Sequence, residues 1–277
     1  MSEKKASSKL ETLSLERKDY LRRVALKKYG ILAVQISILI LLLVLWEVLA
    51  NLKIIDSFIT SQPSRIVKTF LNLTGNGLMH HLGVTCFETL LGFLLGVMFG
   101  VLFAILLWWS STLSRIFEPY LVVLNSLPKI ALGPIIIIWV GAGMQAIIVM
   151  ALAISLIVTI MELLNGFLNT DKEMIKMAQT FGASKAQIFS KIVFPSNLGT
   201  LINSMKINIG LSLVGVIAGE FLVSKAGLGY LIVYGGQVFQ LDLVMASVII
   251  LAVFAAILYE FVVLLEKLIV RKNRSRR

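Results

Sequence analysis

The sequence predicts an all-α, polytopic membrane protein with six transmembrane helices and a helical loop on the cytoplasmic side. Three observations predict it. Of the 277 residues, 58% are hydrophobic and only 15% are charged, with a mean hydropathy of +0.91; soluble domains are typically ~45–50% apolar. Uncharged runs recur at lengths that cross a hydrocarbon core of about 30 Å. The longest polar interruption, Thr170 to Pro195, carries its own helix start and stop residues.

The chain reads as a basic cytoplasmic tail over residues 1–29, a six-span domain over 30–265 and a basic cytoplasmic tail over 266–277. In the first tail, Leu10, Leu13, Leu21 and Val24 form a partial helical stripe, which fits either an interfacial helix or a solvated tail. No charge falls between Lys28 and Glu47, so the first span is placed at Gly30 to Ala50. The tail before it is too charged, and the apolar run too long, for a cleaved signal peptide. Residues 51–82 form a polar connection. The second span, Gly83 to Trp109, spaces Gly92, Gly96 and Gly100 at four-residue intervals. Small residues at that spacing let another helix approach, or simply mark a glycine-rich span.

Residues 119–161 are expected to hold two spans. Pro128, Lys129 and Pro134 interrupt the first of them, and Gly141-Ala142-Gly143 turns into the second. A lysine at depth should face a bundle interior, a watery cavity or an interface, and a broken helix can line a passage. The fifth span, 206–223, sets Gly215 and Gly219 on one face and ends near Glu220. Residues 224–240 fit a loop or a re-entrant segment, and Leu241 to Leu265 make the sixth span. Lys129, Gly215, Gly219 and Glu220 are the candidate residues for a passage between spans.

The loop over 166–200 has the strongest local punctuation. Thr170 and Glu173 fit a capping box that starts a helix. Met174, Met177, Ala178 and Phe181 follow at helical spacing on one face. Gly182 is placed to end this helix in the left-handed conformation that glycine enters freely. Ser184 and Gln187 start a second helix, lined on one side by Ile188, Phe189, Ile192 and Val193, and Pro195 is expected to close it by pushing Phe194 out of helical geometry.

The net charge of +11 is a topology signal rather than a nucleic-acid surface. Nine basic residues lie in the first tail, one at Arg115, five in 166–206 and six from Lys267 onward, against Lys53, Arg65, Lys68 and Lys225 on the opposite side. The positive-inside rule puts both termini and the loop in the cytoplasm. The single cysteine, Cys86, excludes an intramolecular disulfide and is expected to pack.

Catalytic patterns are missing. The sequence has no G-x-x-x-x-G-K-[ST] phosphate loop, so ATP hydrolysis by that route is not expected of this chain. The adjacent His80 and His81 lack the spacing of a zinc-binding H-E-x-x-H, and there is no G-x-S-x-G elbow. Glu47, Glu88, Glu162, Glu220 and Glu260 all fall near expected span ends, where interfacial or paired roles suit them and contact with a passing ligand is the alternative for Glu88 and Glu220.

Three segments carry a resemblance: LPKIALGPIIIIWVGAG at 127–143, FGASKAQIFSKIVFP at 181–195 and AGEFLVSKAGLGYLI at 218–232. Together they are similar to the permease subunits of bacterial ATP-binding-cassette importers, in the nitrate, sulfonate and taurine subfamily. The family's E-A-A-x-x-x-G loop, with I-x-L-P nine residues on, is matched at Ala178, Gly182, Ile192 and Pro195. Lys176 and Met177 stand at the first two positions, Phe194 at the leucine, and Glu173 lies out of register. The resemblance spans roughly residues 60–265. It implies a homodimer in the bacterial inner membrane that moves a small solute, such as a sulfonate, taurine, nitrate or a vitamin precursor. It also implies a binding protein outside and two separate cytoplasmic ATPases, with ATP used there and no cofactor bound by this chain. The ATPases would grip the coupling-helix loop through Glu173, Lys176, Met177, Ala178, Phe181, Gly182, Ala183, Ile192 and Pro195. On the residues alone, the same apolar loop face could instead lie on the bilayer or against the spans. A stand-alone secondary transporter or channel, which would need no ATPase, is the rival function; a membrane enzyme or scaffold is a third.

Overall fold

The computed structural model describes residues 2–75 and 77–274, and every regular element among them is helical. The chain divides into two compact units, residues 1–66 and 67–277. In the first, α1 (Ser2–Asn51) joins the basic tail and the first apolar run in one helix, with no proline and a single glycine to interrupt it. Its stretch Arg22–Asn51 is long and apolar enough to cross a bilayer. The side chains of residues 31–45 are exposed, as they can be where the solvent is hydrocarbon. The side chains of Leu10, Leu13 and Leu21, three members of the expected stripe, lie outside the described residues. The connection is more ordered than its polarity suggests. Asp56 caps α2 (Ser57–Thr60) by accepting from the Phe58 N–H at 2.8 Å, and α3 (Pro63–Gly75) opens on a proline, which costs nothing in a first turn. Glu47 accepts from the Ser64 N–H at 3.0 Å.

The second unit holds α4 (Leu78–Trp109), α5 (Ser111–Ser126), a 3-10 turn (Lys129–Leu132), α6 (Gly133–Val140) and α7 (Met144–Leu168). The loop follows with α8 (Lys172–Thr180) and α9 (Lys185–Ile188), which runs through a π-helical turn (Phe189–Val193) into α10 (Phe194–Ser196). Then come α11 (Leu198–Val223), α12 (Leu228–Gln237) and α13 (Leu241–Arg274). Among the described residues five helices are long and apolar enough to cross a membrane, and α5 with residues 129–140, bent by 89° at the Pro128 break, makes a sixth span when the pair is taken as one.

Several span boundaries differ from expectation, the second span beginning at Leu78 rather than Gly83 and the fourth running to Leu168 rather than 161. The broken span begins at Ser111 rather than residue 119, with Arg115, Glu118 and Pro119 inside α5. The fifth begins at Leu198 rather than 206, because Lys206 is paired with Glu266 at 2.6 Å and so does not end the helix. The helix of the sixth span continues past its apolar part, Leu241–Leu264, to Arg274.

The packing centre is α7, held between α4 and α11. A Cβ placed on Gly92 would stand 2.9 Å from the Ala151 Cβ, and one on Gly96 would stand 2.8 Å from the Ser155 Oγ. Gly100 faces Thr159 more closely still. The four-residue glycine ridge of α4 thus meets a four-residue ridge of small residues on α7. In lipid this close approach replaces the hydrophobic drive that water would supply. A short polar ladder adds to it: Asn208 donates to the Thr159 Oγ1 at 2.6 Å, and Ser212 donates to the Asn208 Oδ1 at 2.9 Å. Cys86 packs against the apolar cluster around Phe93 and Leu213.

Candidate functional site

The loop is built as two short helices with their ends capped. α8 is capped by Asp171, whose Oδ1 accepts from the Glu173 N–H at 2.8 Å. Thr170, the expected cap, is otherwise engaged: its hydroxyl donates to the Gly166 carbonyl and accepts from the Asn197 amide at 2.8 Å. α8 ends in a Schellman turn. Gly182 sits at φ +76°, its N–H donates to the Gln179 carbonyl, and the Ala183 N–H donates to the Ala178 carbonyl. Ser184 and Gln187 then form a complete capping box for α9. Pro195 does not close the second helix. Phe194 stays helical at φ −63° and ψ −46°, and the chain leaves helical geometry only at Asn197. The π turn before Pro195, in which the Phe194 N–H donates to the Phe189 carbonyl, lets the helix continue through the proline.

This frame sorts the loop's apolar side chains into two faces. Phe181 is 84% exposed, Met177 56% and Met174 43%, and all three point away from the protein. Ala178 does not share their face. With Ile175 and Ala183 it packs inward on a cluster of Ala104, Leu163, Phe167, Ile188 and Val193. Glu173, Lys176 and Pro195 are exposed, and Ile192 is half-buried. Lys185 donates from Nζ to the Trp109 carbonyl at 2.6 Å and stands over the Trp108 ring. The Phe189 ring meets Trp108, Phe167 and Phe194 at centroid distances of 4.9, 5.5 and 5.9 Å.

The candidate passage residues have different surroundings, with Gly215, Gly219 and Glu220 on α11 and Lys129 in the 3-10 turn. Gly215 and Gly219 are taken up by helix contact: added Cβ atoms would stand 2.5 Å from the Ala151 Cα and 2.9 Å from the Ile147 Cα of α7. The Lys129 ammonium folds back to donate to the Asn125 carbonyl and Oδ1, both at 3.1 Å. An open apolar groove of about 740 Å³ lies instead on another side of α11, lined by Ile130, Pro134, Ile217, Phe221, Val248 and Leu251 among others.

Glu220 belongs to a buried polar knot at the start of α12. It is 1% exposed, and its carboxylate accepts from the Thr85 hydroxyl at 2.6 Å and from the Gly229 N–H at 2.5 Å. Thr85 in turn accepts from the Leu228 N–H at 2.8 Å. His81, stacked on Tyr230, accepts at Nδ1 from the Gly227 N–H at 3.0 Å. Glu88 is buried within hydrogen-bonding reach of Glu220, so of the expected roles these two acids take the paired one. Gly227, at φ +111°, and Gly229 have no room for a Cβ because the Glu220 side chain fills it. The segment 224–240 is therefore a short helix tied down at its N-terminus, where a carboxylate complements the free N–H groups. A Glu followed by G-x-G was the available signal for this knot, but its partners on α4 lie 135 residues away from Glu220.

Comparison with known proteins places this geometry. Residues 96–275 match the family described as binding-protein-dependent transport system inner membrane component. A probable ABC transporter permease protein of Haemophilus influenzae is 31% identical over 79% of this chain and 89% of its own length. The riboflavin transport system permease protein RibX of Chloroflexus aurantiacus is 32% identical over 86% of this chain and 89% of its own. A putative aliphatic sulfonates transport permease protein, SsuC of Bacillus subtilis, is 28% identical over 84% and 85% respectively. A structure of the inward-facing MetNI methionine ABC transporter shares the fold, with a TM-score of 0.60 at 20% identity over 67% of this chain and 92% of that one. Matched along nearly two thirds of its length, this chain belongs to the binding-protein-dependent transport system inner membrane components, the permease subunits of ABC transporters.

Proposed function

We propose that the chain is the membrane half of an importer driven by ATP hydrolysis on separate cytoplasmic ATPase subunits. The observation that carries this is the exposed face of Met174, Met177 and Phe181, held on a helix capped at both ends. Rigid apolar side chains on a short helix suit a helix-in-groove contact, in which little entropy is lost on docking. The absence of a phosphate-binding loop from the sequence fits an energy source on another polypeptide. Lys176, exposed where the family pattern has a glutamate, would present a positive charge to the ATPase groove. The basic tails and loop support a cytoplasmic location for both termini. Two copies would pair around the passage, fed by a binding protein on the outer side, and the open apolar groove beside α6, α11 and α13 is a wall such pairing could complete.

The cargo is a small solute. Sulfonate and taurine permeases among the relatives favour an organic anion, while the riboflavin and formylaminopyrimidine permeases support a vitamin or vitamin precursor carried by the same mechanism. The test is reconstitution in proteoliposomes with the cognate ATPase and binding protein. ATP-dependent uptake should appear in the wild type and collapse in Gly182→Val, because a β-branched residue is strained at φ +76°. Equal uptake by that variant would remove the loop from coupling, and flux without any ATPase would favour a stand-alone transporter.

A further inference from the structure

Docking accounts for the outward side chains of the loop, but a docked helix moves nothing unless its other side is held. The inward side is held at one place. Lys185 and Phe189 are one turn apart and both reach the last residues of α4. The lysine ammonium donates to the Trp109 carbonyl at 2.6 Å and lies 5.5 Å from the Trp108 ring centroid. The Phe189 ring stands 4.9 Å from Trp108, 6.3 Å from Trp109 and 5.5 Å from Phe167, which is next to last in α7. Phe189 also opens the π turn, and single-turn π-bulges inside helices are frequent at functional sites. Val193, at the end of that turn, is fully buried in the same cluster, and Ile175 and Ala178 bring α8 into it.

From that cluster inward, α4 and α7 are joined by ridges of small residues in contact at Gly92, Gly96 and Gly100. Close-packed surfaces of this kind have no slack to absorb a displacement. We propose that Phe189 and Lys185 are positioning residues of the coupling step, fastening the loop helices to the ends of α4 and α7 so that a push on the docked loop reaches both spans as one body. The proposal rests on the docking of an ATPase to the outward face.

The experiment compares wild type, Phe189→Ala, Phe189→Tyr and Lys185→Met in proteoliposomes with the ATPase and binding protein, measuring ATPase copurification, ATP hydrolysis and solute uptake. Phe189→Ala should retain the ATPase, because the outward face is untouched, while uptake per ATP falls about tenfold with loss of its aromatic contacts. Phe189→Tyr keeps the ring and should restore the ratio. Lys185 is exposed, so Lys185→Met should fold even where Phe189→Ala does not, and should lower the ratio by roughly threefold. An unchanged ratio in Phe189→Ala, or in Lys185→Met if the first variant misfolds, overturns the proposal, as does a failure of tyrosine to rescue. Hydrogen exchange over residues 172–196 of the permease alone separates the two readings. Faster exchange in Phe189→Ala supports the fastening and equal exchange overturns it, even if the wild type shows no ATP-dependent uptake and the docking reading fails.

Discussion

At residues 81–88, α4 meets α11 and α12 through an imidazole, a hydroxyl and two carboxyl groups, with hydrogen bonds of 2.5 to 3.0 Å. At residues 101–109 the same helix meets the loop through aromatic rings, aliphatic side chains and one lysine. Buried hydrogen bonds are directional, and each orphaned partner carries its full desolvation cost. Ring and methyl contacts are individually small and survive a shift of a few tenths of an ångström. One end of α4 is therefore built to keep a single register, and the other tolerates a small shift without losing its contacts. That difference suits a helix whose loop end is driven and whose other end anchors a short helix.

The comparison breaks most visibly at Glu220. Glu220→Ala leaves the Thr85 hydroxyl and the Gly229 N–H without an acceptor and opens a void beside Gly227, so we expect a loss of about 3 kcal/mol or more, read as thermal stability in detergent. Glu220→Gln keeps the volume and one acceptor oxygen and should lose only about 1 kcal/mol. Equal losses for the two variants would mean that the knot is filled space rather than a set of hydrogen bonds. At the other end, Trp108→Ala should cost about 2 kcal/mol, since the ring is half-buried, and Trp108→Phe well under that. A graded series there against a steep one at Glu220 is what the two chemistries require.

How much of this was legible in the sequence follows from how far apart the interacting residues lie. The spans were legible because hydropathy is summed over a window, and the ridge of Gly92, Gly96 and Gly100 because its spacing repeats one helical face. The Gly182 stop and the Ser184–Gln187 box were legible because capping is local chemistry. The cap at Asp171 was not. Thr170 and Asp171 are adjacent and equally able to cap, and the choice is made by Asn197, which engages the Thr170 hydroxyl from 27 residues away. Pro195 misled because the bias against helix before a proline is local, whereas the π turn that absorbs it also seats Val193 in the cluster. Gly215 and Gly219 were seen as a face, but nothing in their spacing says whether that face meets a helix or a passage. Phe189 was seen as one of four lining residues; its place beside Trp108 needed the fold.

A smaller effect tests the rigidity of the loop itself. Ser184→Ala removes the hydroxyl that accepts from the Gln187 N–H, and a lost N-cap costs about 1 kcal/mol. Because α9 is only four residues long before the π turn, that cost should appear as local opening rather than global unfolding. Faster hydrogen exchange is expected at residues 184–190 with an unchanged melting temperature. A shifted melting temperature would show that the loop helices unfold together with the spans.

The smallest effect sharpens the comparison furthest. Lys185→Met keeps most of the apolar stem and removes the charge that sits over Trp108 and donates to the Trp109 carbonyl. Lys185 is exposed, so the loss should be only about 0.5–1 kcal/mol at low salt. An exposed charge is also open to screening, since the Debye length falls from about 8 Å at physiological ionic strength to about 3 Å at 1 M. The difference between wild type and Lys185→Met should therefore shrink toward zero as salt is raised. The difference between wild type and Glu220→Gln should hold, because water and ions do not reach a carboxylate that is 1% exposed. Measuring both pairs across one salt series separates an end of α4 that trades contacts with its surroundings from an end that is sealed, and parallel salt dependence in the two pairs would erase the distinction.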